Sequence, residues 1–369
     1  MAVKRVLVAM SGGVDSSVAA ALLAQGGYEC IGATMQLWPE GLPHADDATS
    51  CCSLQAVEDA RRVAASLNIP YYVFNMAAEF TEQVIDRFAA AYLAGATPNP
   101  CIACNRYMKF SAFLEKARAL DCEYIATGHY VRVWQQAETQ RYCLAKGCDK
   151  NKDQSYVLYT LTQEQLAHTL FPLGNYNKPE IRKLATELQL QVVAAKPESQ
   201  EICFVPGNNY RKFLETYRPG SQKPGPILNT AGEQVGRHQG LAFYTIGQRK
   251  GLGITNALPQ YVVDINPEKN AVVVGGQEEC VRTTLLADDV NWVSVPPISE
   301  PLEVTARIRY RVEPAAAIIT PLSHGAVRTD FLKPQRAVTP GQSVVWYIDD
   351  VVIGGGIIKR TNSGGPVDA

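Results

Sequence analysis

The stretch Lys4-Arg5-Val6-Leu7-Val8-Ala9-Met10-Ser11-Gly12-Gly13-Val14-Asp15-Ser16-Ser17 decides the fold. Its first half is an apolar, β-branched run, which is typical of a buried parallel strand. Gly12 and Gly13 permit a tight turn and close approach by a ligand. Ser16 and Ser17 then open a run of strong helix formers. Strand, turn and helix N-terminus together form a site for anions, because outward N–H groups and the helix dipole favour negative charge.

This turn differs from two common nucleotide-binding loops. No Gly-Lys-Ser/Thr follows the glycines, and Gly-x-Gly-x-x-Gly is absent. Ser11-Gly-Gly-x-Asp-Ser-Ser17 instead resembles the pyrophosphate-binding loop of ATP pyrophosphatases, which split ATP into AMP and pyrophosphate. The simpler interpretation is a small-residue turn that packs a helix on a sheet. Seven residues in this order, between a clean strand and a clean helix, favour the nucleotide interpretation, in which Asp15 helps to hold Mg²⁺.

The pattern after the turn predicts an α/β fold. Apolar runs typical of strands at 28–38, 69–74 and 123–130 alternate with helical patterns at 54–67, 80–93 and 109–120. Such alternation is typical of a doubly wound parallel sheet. Met35 lies near the end of the second predicted strand, where ligands bind in such sheets. A core methionine is an equally good interpretation of Met35 from its spacing.

Length and composition set limits on the function. The 369 residues carry a formal charge of −1, so nucleic acid, if bound, must be met by local basic patches. No apolar stretch is long enough for a membrane span, and the chain begins directly with a strand rather than a signal peptide. The ten cysteines are spread along the chain. We therefore expect a cytoplasmic protein with reduced thiols and no membrane association.

Composition changes near Pro206, where Gly and Pro become frequent and close-spaced alternating strands replace the helices. We therefore expect domain boundaries near residues 206 and 282. From about Asp288, close strand spacing without helical runs indicates a small closed barrel or a sandwich. The tail at 361–369 is expected to be disordered.

Three cysteines stand in unusual surroundings. Pro98, Asn99 and Pro100 disfavour a helix, which predicts a stiff, exposed loop around Cys101 and Cys104. If Cys104 instead begins the following helix, nearby Arg106 and Lys109 should favour its thiolate. Cys203 follows the polar stretch 196–201 and has apolar neighbours. Its local sequence alone predicts a buried cysteine in a strand.

Several further residues are candidates for binding. Gly128 marks a close backbone approach, plausibly to a nucleotide, and His129 is either a substrate contact or a locally bonded turn histidine. The lysines around 150–152 oppose a helix dipole, so they indicate either an anionic partner or a solvated charged turn. Arg307, Arg309 and Arg311 alternate within a predicted strand over 302–311, so they should form one basic stripe suited to phosphates.

These stretches occur together in one family, and the chain resembles the tRNA-specific 2-thiouridylases over essentially its whole length. These bacterial enzymes replace the 2-oxygen of the wobble uridine of tRNA with sulfur. The resemblance rests on the loop at 11–17 and on five more motifs. They are Asn99-Pro100-Cys101-x-x-Cys104-Asn105, Thr127-Gly128-His129-Tyr130, Lys152-Asp153-Gln154-Ser155-Tyr156, Ser199-Gln200-Glu201-Ile202-Cys203-Phe204 and Thr245-Ile246-Gly247-Gln248-Arg249.

The resemblance implies a nucleotide-binding, catalytic ATP pyrophosphatase domain over 1–206. A small central β-rich domain over 207–282 and a C-terminal β-barrel over 283–369 that contacts tRNA would follow.

The resemblance also implies a role for each matching position. Those that would bind ATP are Ala9, Met10, Ser11, Gly12, Gly13, Val14, Asp15, Ser16, Met35 and Gly128. Asn99, Pro100 and Cys101 would meet the target base, with Cys104 as nucleophile and Cys203 as persulfide carrier. The expected tRNA contacts are His129, Lys152, Asp153, Gln154, Arg309, Tyr310 and Gln342. Some family members carry Asp at the position of Cys101, so this thiol is either a spare or a participant.

The implied reaction is chemically consistent. ATP adenylates the C2 oxygen of uridine and turns it into a good leaving group. A persulfide on Cys203 then supplies sulfur, by direct attack or as hydrosulfide released by Cys104, and the two cysteines end as a disulfide. Their Cα atoms must then approach within roughly 7 Å in some state. The partners would be tRNA, by family those for Lys, Glu and Gln, and a persulfide donor such as a cysteine desulfurase or relay protein.

Other interpretations compete with this one. Cys101, Cys104 and Cys203 could ligate an iron–sulfur cluster in a metal-dependent sulfur transferase, or a zinc ion that lacks an evident fourth ligand. A non-catalytic RNA-binding protein that uses ATP as a switch is the alternative from a different class. The pyrophosphate loop and the two placed cysteines argue against it.

Overall fold

The computed structural model describes residues 3–39, 53–194, 202–205, 207, 209–254 and 258–360. Its backbone contacts divide the chain into two compact units. The first contains 1–85, 100–208 and 350–352, and the second contains 86–99, 209–349 and 353–369. The stretch at 196–201 and the tail at 361–369, for which the sequence predicts a loop and disorder, lie outside the described residues.

The first unit is built on a parallel sheet whose order is β3-β2-β1-β4-β7. Its strands are β1 (Arg5–Ala9), β2 (Glu29–Gln36), β3 (Tyr71–Asn75), β4 (Tyr124–Ala126) and β7 (Thr169–Leu170), and an antiparallel hairpin is formed by β5 (Val131–Gln135) and β6 (Tyr142–Lys146). The α-helices are α1 (Val14–Gln25), α2 (Leu54–Ser66), α3 (Ala77–Phe80), α5 (Pro100–Ala103), α6 (Phe113–Ala119), α7 (Gln163–Ala167), α8 (Lys178–Glu187) and α9 (Gln191–Ala194). Two π-helices span Thr81–Asp86 and Cys104–Ala112, and a 3₁₀ helix spans Ser155–Leu158. This parallel arrangement confirms the predicted α/β class.

The core explains why these elements form. Val6 and Val8 of β1 are buried on one side among Val18 and the alanines of α1, so the strand reads as one apolar run. Small residues on α1 allow this close packing. Ser53 is the N-cap of helix α2, and its side chain accepts a hydrogen bond from the Ala56 amide.

The second unit is β-rich. It contains α4 (Arg87–Leu93), α10 (Tyr210–Tyr217) and the strands β8 (Gly225–Asn229), β9 (Gln234–His238), β10 (Tyr261–Asn266), β11 (Ala271–Gly275), β12 (Val281–Trp292), β13 (Leu302–Arg307), β14 (Ala315–Pro321), β15 (Val327–Arg336), β16 (Ser343–Ile348) and most of β17 (Val351–Ile358). A four-stranded sheet has the order β10-β11-β8-β9. The strands β12-β15-β14-β13-β16-β17 close into a barrel because β17 also pairs with β12. The expected central β-rich part and C-terminal barrel are both confirmed.

Two local predictions are wrong. A helix begins at Pro100, because proline is well tolerated in the first turn, where its missing N–H has no partner to lose. Strand β13 ends at Arg307, and a turn follows. Arg309 and Arg311 therefore do not alternate with Arg307 along a strand. Across the described ranges, no helix is both long and apolar enough to cross a membrane.

Candidate active site

The loop predicted to bind nucleotide, residues 11–17, lies where the order of the parallel sheet reverses. Strand β1 pairs with β2 on one side and with β4 on the other, so the loops after β1 and β4 leave the same edge of the sheet. A Cβ on Gly128 would lie 2.8 Å from the backbone of Asp15 and Ser16. The close approach predicted at Gly128 is thus made by the loop itself. Open α/β sheets bind ligands at this kind of position.

The turn is shaped by its small residues. Gly12 has φ +67°, and a Cβ there would meet the carbonyl oxygen of Ala56 at 2.1 Å. The hydroxyls of Ser16 and Ser17 both donate to the carbonyl of Gly13, at 3.1 and 2.9 Å. Gly13 is the N-cap of α1, and no side chain caps the helix there. The N-terminus of α1 therefore presents its dipole and amides toward the turn.

Asp15 is held by two groups that the sequence analysis missed. Lys178 Nζ lies 2.6 and 2.8 Å from the two carboxylate oxygens of Asp15. The Tyr130 hydroxyl donates to the same carboxylate at 2.6 Å. Both Asp15 oxygens thus contact a cation, so this arrangement does not fit Asp15 as a ligand of Mg²⁺.

Lys178 lies in the first turn of α8. Its side chain is only 8% exposed. Asn177 caps this helix and Glu180 completes a capping box. A lysine at a helix N-terminus opposes the helix dipole, and that mismatch was a readable signal of a binding role. The remaining predicted nucleotide residues, including Ala9, Met10, Ser11 and Val14, lie along β1 and its turn, and Met35 lies within β2.

Cys104 is the first residue of a π-helix and is 9% exposed. The preceding turn of helix, α5, carries the exposed Cys101, and Asn99 is half-buried just before it. Asn105 anchors the start of the π-helix, because its Nδ2 donates to the carbonyl of Val157 at 2.9 Å. π-Helical turns are rare and occur frequently at functional sites.

Cys203 is half-buried in a short turn that is closed by a hydrogen bond from Val205 to Ile202. Its neighbour Phe204 packs edge-to-face on Phe80 of α3, with ring centroids 5.7 Å apart. Helix α3 also packs against the π-helix that begins at Cys104. The segments that carry the two predicted catalytic thiols therefore meet at one common helix.

The metal alternative finds little support in the arrangement of side chains. Within the described residues, no three His, Cys, Asp or Glu side chains are grouped as metal ligands. Cys101, Cys104 and Cys203 are all described, and each is a thiol rather than half of a disulfide.

His129 is a buried residue. It is 7% exposed, its Nδ1 lies 2.8 Å from Thr127 Oγ1, and its ring contacts Phe110 and Phe171. Burial, with a smaller contribution from Lys109, holds the pKa of His129 well below its usual value of 6.5.

We expect acid to destabilise the protein through His129. The unfolded chain binds this proton below about pH 6.5 while the folded chain does not, so stability is complete above that pH and falls as the pH drops. The urea midpoint of the wild type should fall more between pH 7.5 and pH 5.5 than that of His129→Gln. Equal losses in the two proteins would show that His129 does not contribute.

Most of the predicted tRNA contacts form hydrogen bonds within their own units. Asp153 is buried and accepts from the amide and hydroxyl of Ser155, and Gln154 Oε1 accepts from the Tyr130 amide at 3.0 Å. Lys152 is half-buried in the preceding turn. In the second unit, Gln342 donates to the Thr97 carbonyl at 2.9 Å. Tyr310 is half-buried and lies beneath the Arg307 guanidinium.

Arg309 donates from Nη2 to the carbonyl of Ala337 and the hydroxyl of Thr339, both at 2.7 Å, and more weakly to the carbonyl of Ile246.

We expect Arg309→Ala to lower the free energy of unfolding by about 2 kcal/mol, since charged hydrogen bonds are lost. Arg311→Ala, at an exposed position, should change it little. Urea unfolding followed by fluorescence measures both, and equal stabilities would contradict this structural role.

Three protein-family models match consecutive parts of the chain. The family described as "tRNA methyl transferase HUP domain" matches residues 4–207, the "tRNA methyl transferase PRC-barrel domain" matches 211–276, and the "Aminomethyltransferase beta-barrel domain" matches 282–358. A solved 4-thiouridine synthetase–RNA complex with bound ATP is similar at 19% identity and TM-score 0.37, over 59% of this chain and 51% of that one. That similarity is too low to support an argument.

Curated relatives match over nearly their whole length. The tRNA-specific 2-thiouridylase MnmA of Moorella thermoacetica is 57% identical over 96% of this chain and 99% of its own. Those of Symbiobacterium thermophilum and Desulforamulus reducens are 55% and 53% identical, over 97% of this chain and 92% and 98% of theirs. The chain therefore belongs to the family of tRNA-specific 2-thiouridylases.

Proposed function

We propose that this protein converts the wobble uridine of tRNA to 2-thiouridine, using ATP to activate the C2 oxygen and a cysteine persulfide to supply sulfur. The observation that carries the proposal is the match at 53–57% identity to full-length 2-thiouridylases. The fold supports it, because a pyrophosphate-type loop lies at the carboxyl end of β1 and the two thiol segments both pack on α3.

The first step is adenylation. The C2 oxygen of uridine attacks the α-phosphorus of ATP, the bond to the bridging oxygen breaks, and pyrophosphate leaves. The N-terminus of α1 stabilises the departing negative charge, and the Lys178 ammonium beside Asp15 adds a positive group at the same turn. Mg²⁺ would accompany the phosphates of ATP. This arrangement offers it no carboxylate at Asp15, so no step is assigned to the metal.

The second step transfers sulfur. The terminal sulfur of a Cys203 persulfide attacks C2, and AMP leaves with the original oxygen. Cys104 thiolate then attacks the Sγ of Cys203, the sulfur–sulfur bond to the base breaks, and 2-thiouridine is released with a Cys104–Cys203 disulfide. In the alternative order, the Cys104 thiolate first attacks the Sγ of the Cys203 persulfide. The outer sulfur leaves as hydrosulfide, which then attacks C2. Either order balances, and a thiol reductant restores the enzyme.

The remaining residues complete the proposal. Asn99, Pro100 and Cys101 would contact the extruded base, whose chemistry requires that it leave the anticodon stack. The residues that would contact tRNA, or shape the surface that contacts it, are His129, Lys152, Asp153, Gln154, Arg309, Tyr310 and Gln342. A cysteine desulfurase or a relay protein would load the persulfide. The domains would span 1–206, 207–282 and 283–369.

In vitro thiolation tests the proposal. Purified protein receives unmodified tRNA for Lys, Glu or Gln, with ATP, Mg²⁺ and a persulfide donor, and nucleosides are analysed by mass spectrometry. We expect 2-thiouridine, AMP and pyrophosphate in equal amounts. Because the matching family descriptions mention methyl transfer, a parallel reaction receives S-adenosylmethionine instead. A methylated uridine without any thiouridine would overturn the proposal. Iron analysis of anaerobically purified protein tests the cluster alternative.

A further inference from the structure

One segment of the first unit, residues 149–157, bonds Tyr130 and Lys178, which both contact Asp15, and also bonds Asn105 in the π-helix that begins at Cys104. We propose that Gln154 and Asn105 are positioning residues, through which this segment holds the ATP loop and Cys104 in one fixed arrangement. The inference rests on the proposed function for its biological meaning. Every contact that carries it lies within the first unit.

The nucleotide end of this segment is attached at two points. Gln154 Oε1 accepts from the Tyr130 amide at 3.0 Å, and the Gln154 amide donates back to the Tyr130 carbonyl at 3.3 Å. Asp149 Oδ2 accepts from the Lys178 amide at 3.0 Å. Tyr130 and Lys178 both contact the Asp15 carboxylate. The segment thus bonds the backbone of two residues that hold Asp15, and Asp15 lies in the turn that would receive pyrophosphate.

The nucleophile end is attached through Asn105. Asn105 directly follows Cys104 in the chain, and its Nδ2 donates to the carbonyl of Val157 at 2.9 Å. Asn105 is 2% exposed, and its buried Oδ1 accepts no hydrogen bond from the residues that the structure describes. A buried amide with one unused acceptor costs stability. Its placement is therefore better explained by a need to fix the Cys104 turn than by core stability.

The end of the segment that reaches Val157 is buried. Ser155 and Tyr156 are fully buried, and the Asp153 carboxylate accepts hydrogen bonds from the amide and hydroxyl of Ser155. Displacement of reacting groups by about 1 Å can cost on the order of 100-fold in rate. The activated oxygen and the incoming sulfur must meet at one carbon. A segment that positions both the ATP loop and Cys104 would limit such displacements.

The test uses three variants in a Cys101→Ser background. Gln154→Leu removes the acceptor for the Tyr130 amide, and Gln154→Glu keeps an acceptor oxygen. Gln163→Leu is the matched control. Gln163 also bonds a backbone in this unit, accepting from the Tyr142 amide and donating to its carbonyl at 2.8 and 2.9 Å, away from both ends of the segment.

Two measurements are made without tRNA. They are the affinity for Mg·ATP by calorimetry and the alkylation rate of Cys104 by iodoacetamide, followed by peptide mass spectrometry. We expect Gln154→Leu to bind Mg·ATP at least fivefold more weakly and to alkylate Cys104 at least threefold faster. Gln154→Glu and Gln163→Leu should stay within twofold of the parent for both.

The outcomes separate the possible roles. If Gln154→Leu only raises the KM for tRNA, with ATP affinity and alkylation unchanged, Gln154 is a tRNA contact and the inference is wrong. If Gln163→Leu matches Gln154→Leu, the effect is general destabilisation and the inference is again wrong. Should the wild-type protein fail to thiolate tRNA or bind ATP, the proposed function fails, while the Cys104 alkylation rates still decide the positioning role.

Discussion

Cys104→Ser and Cys203→Ser should each abolish formation of 2-thiouridine, lowering the rate at least 1,000-fold. Serine cannot carry a persulfide at 203, and its hydroxyl at 104 cannot cleave the sulfur–sulfur bond by thiol exchange. Both thiol segments pack against α3, so the substitutions act on groups that the fold already brings to one helix. The measurement is thiouridine by mass spectrometry under single-turnover conditions with saturating ATP.

Cys101→Ser is the matched control for this pair, since Cys101 lies three residues before Cys104 and is exposed. It should retain activity within about threefold, and all three variants should still release pyrophosphate when tRNA is present. Full activity of Cys203→Ser would exclude the persulfide carrier. Equal loss in all three variants would favour a shared cluster or metal site.

Lys178→Met should lower the rate of pyrophosphate release by about 100-fold or more, as removal of one positive group from a phosphate site commonly does. The ammonium is nearly buried and lies against Asp15 in the turn at the start of α1. Without it, the Asp15 carboxylate would add negative charge beside the phosphates. Release is measured by coupled pyrophosphate detection at saturating tRNA.

Lys183→Met provides the control, because Lys183 lies on the same helix and pairs with Glu187 at the surface. It should keep wild-type rates of pyrophosphate release. A Lys178→Met protein that is folded by circular dichroism and fully active would remove Lys178 from the nucleotide site. A protein that binds ATP normally but reacts slowly would assign Lys178 to the reaction step rather than to affinity.

The parts that could be predicted from sequence depend on local patterns. The run Val6–Val8 is buried on both faces of a parallel sheet, so a continuous apolar stretch was sufficient to identify β1. The barrel followed from closely spaced alternating strands. The helix start at Pro100 was missed because proline was interpreted as a helix breaker, whereas its position in the first turn allows it.

The contacts that build the site could not be read from the same patterns. Lys178 meets Asp15 across 163 positions, and Asn105 meets Val157 across 52. Sequence spacing contains no information about such pairs unless a fold is assumed. The side chains of Gln154 and Arg309 were predicted to face RNA by resemblance, and the structure adds the backbone groups that each one holds.

The segment 86–99 belongs by its contacts to the β-rich second unit, although in sequence it interrupts the first unit. Phe88 packs on Phe213, Tyr92 stacks on Tyr210, and Asp86 pairs with Arg218. Arg360 donates to the Gly95 carbonyl at 2.9 Å. A fragment cut at residue 206 would expose these aromatic rings to water and invite aggregation. We therefore expect a fragment that ends at residue 206 to be less soluble than the full-length protein.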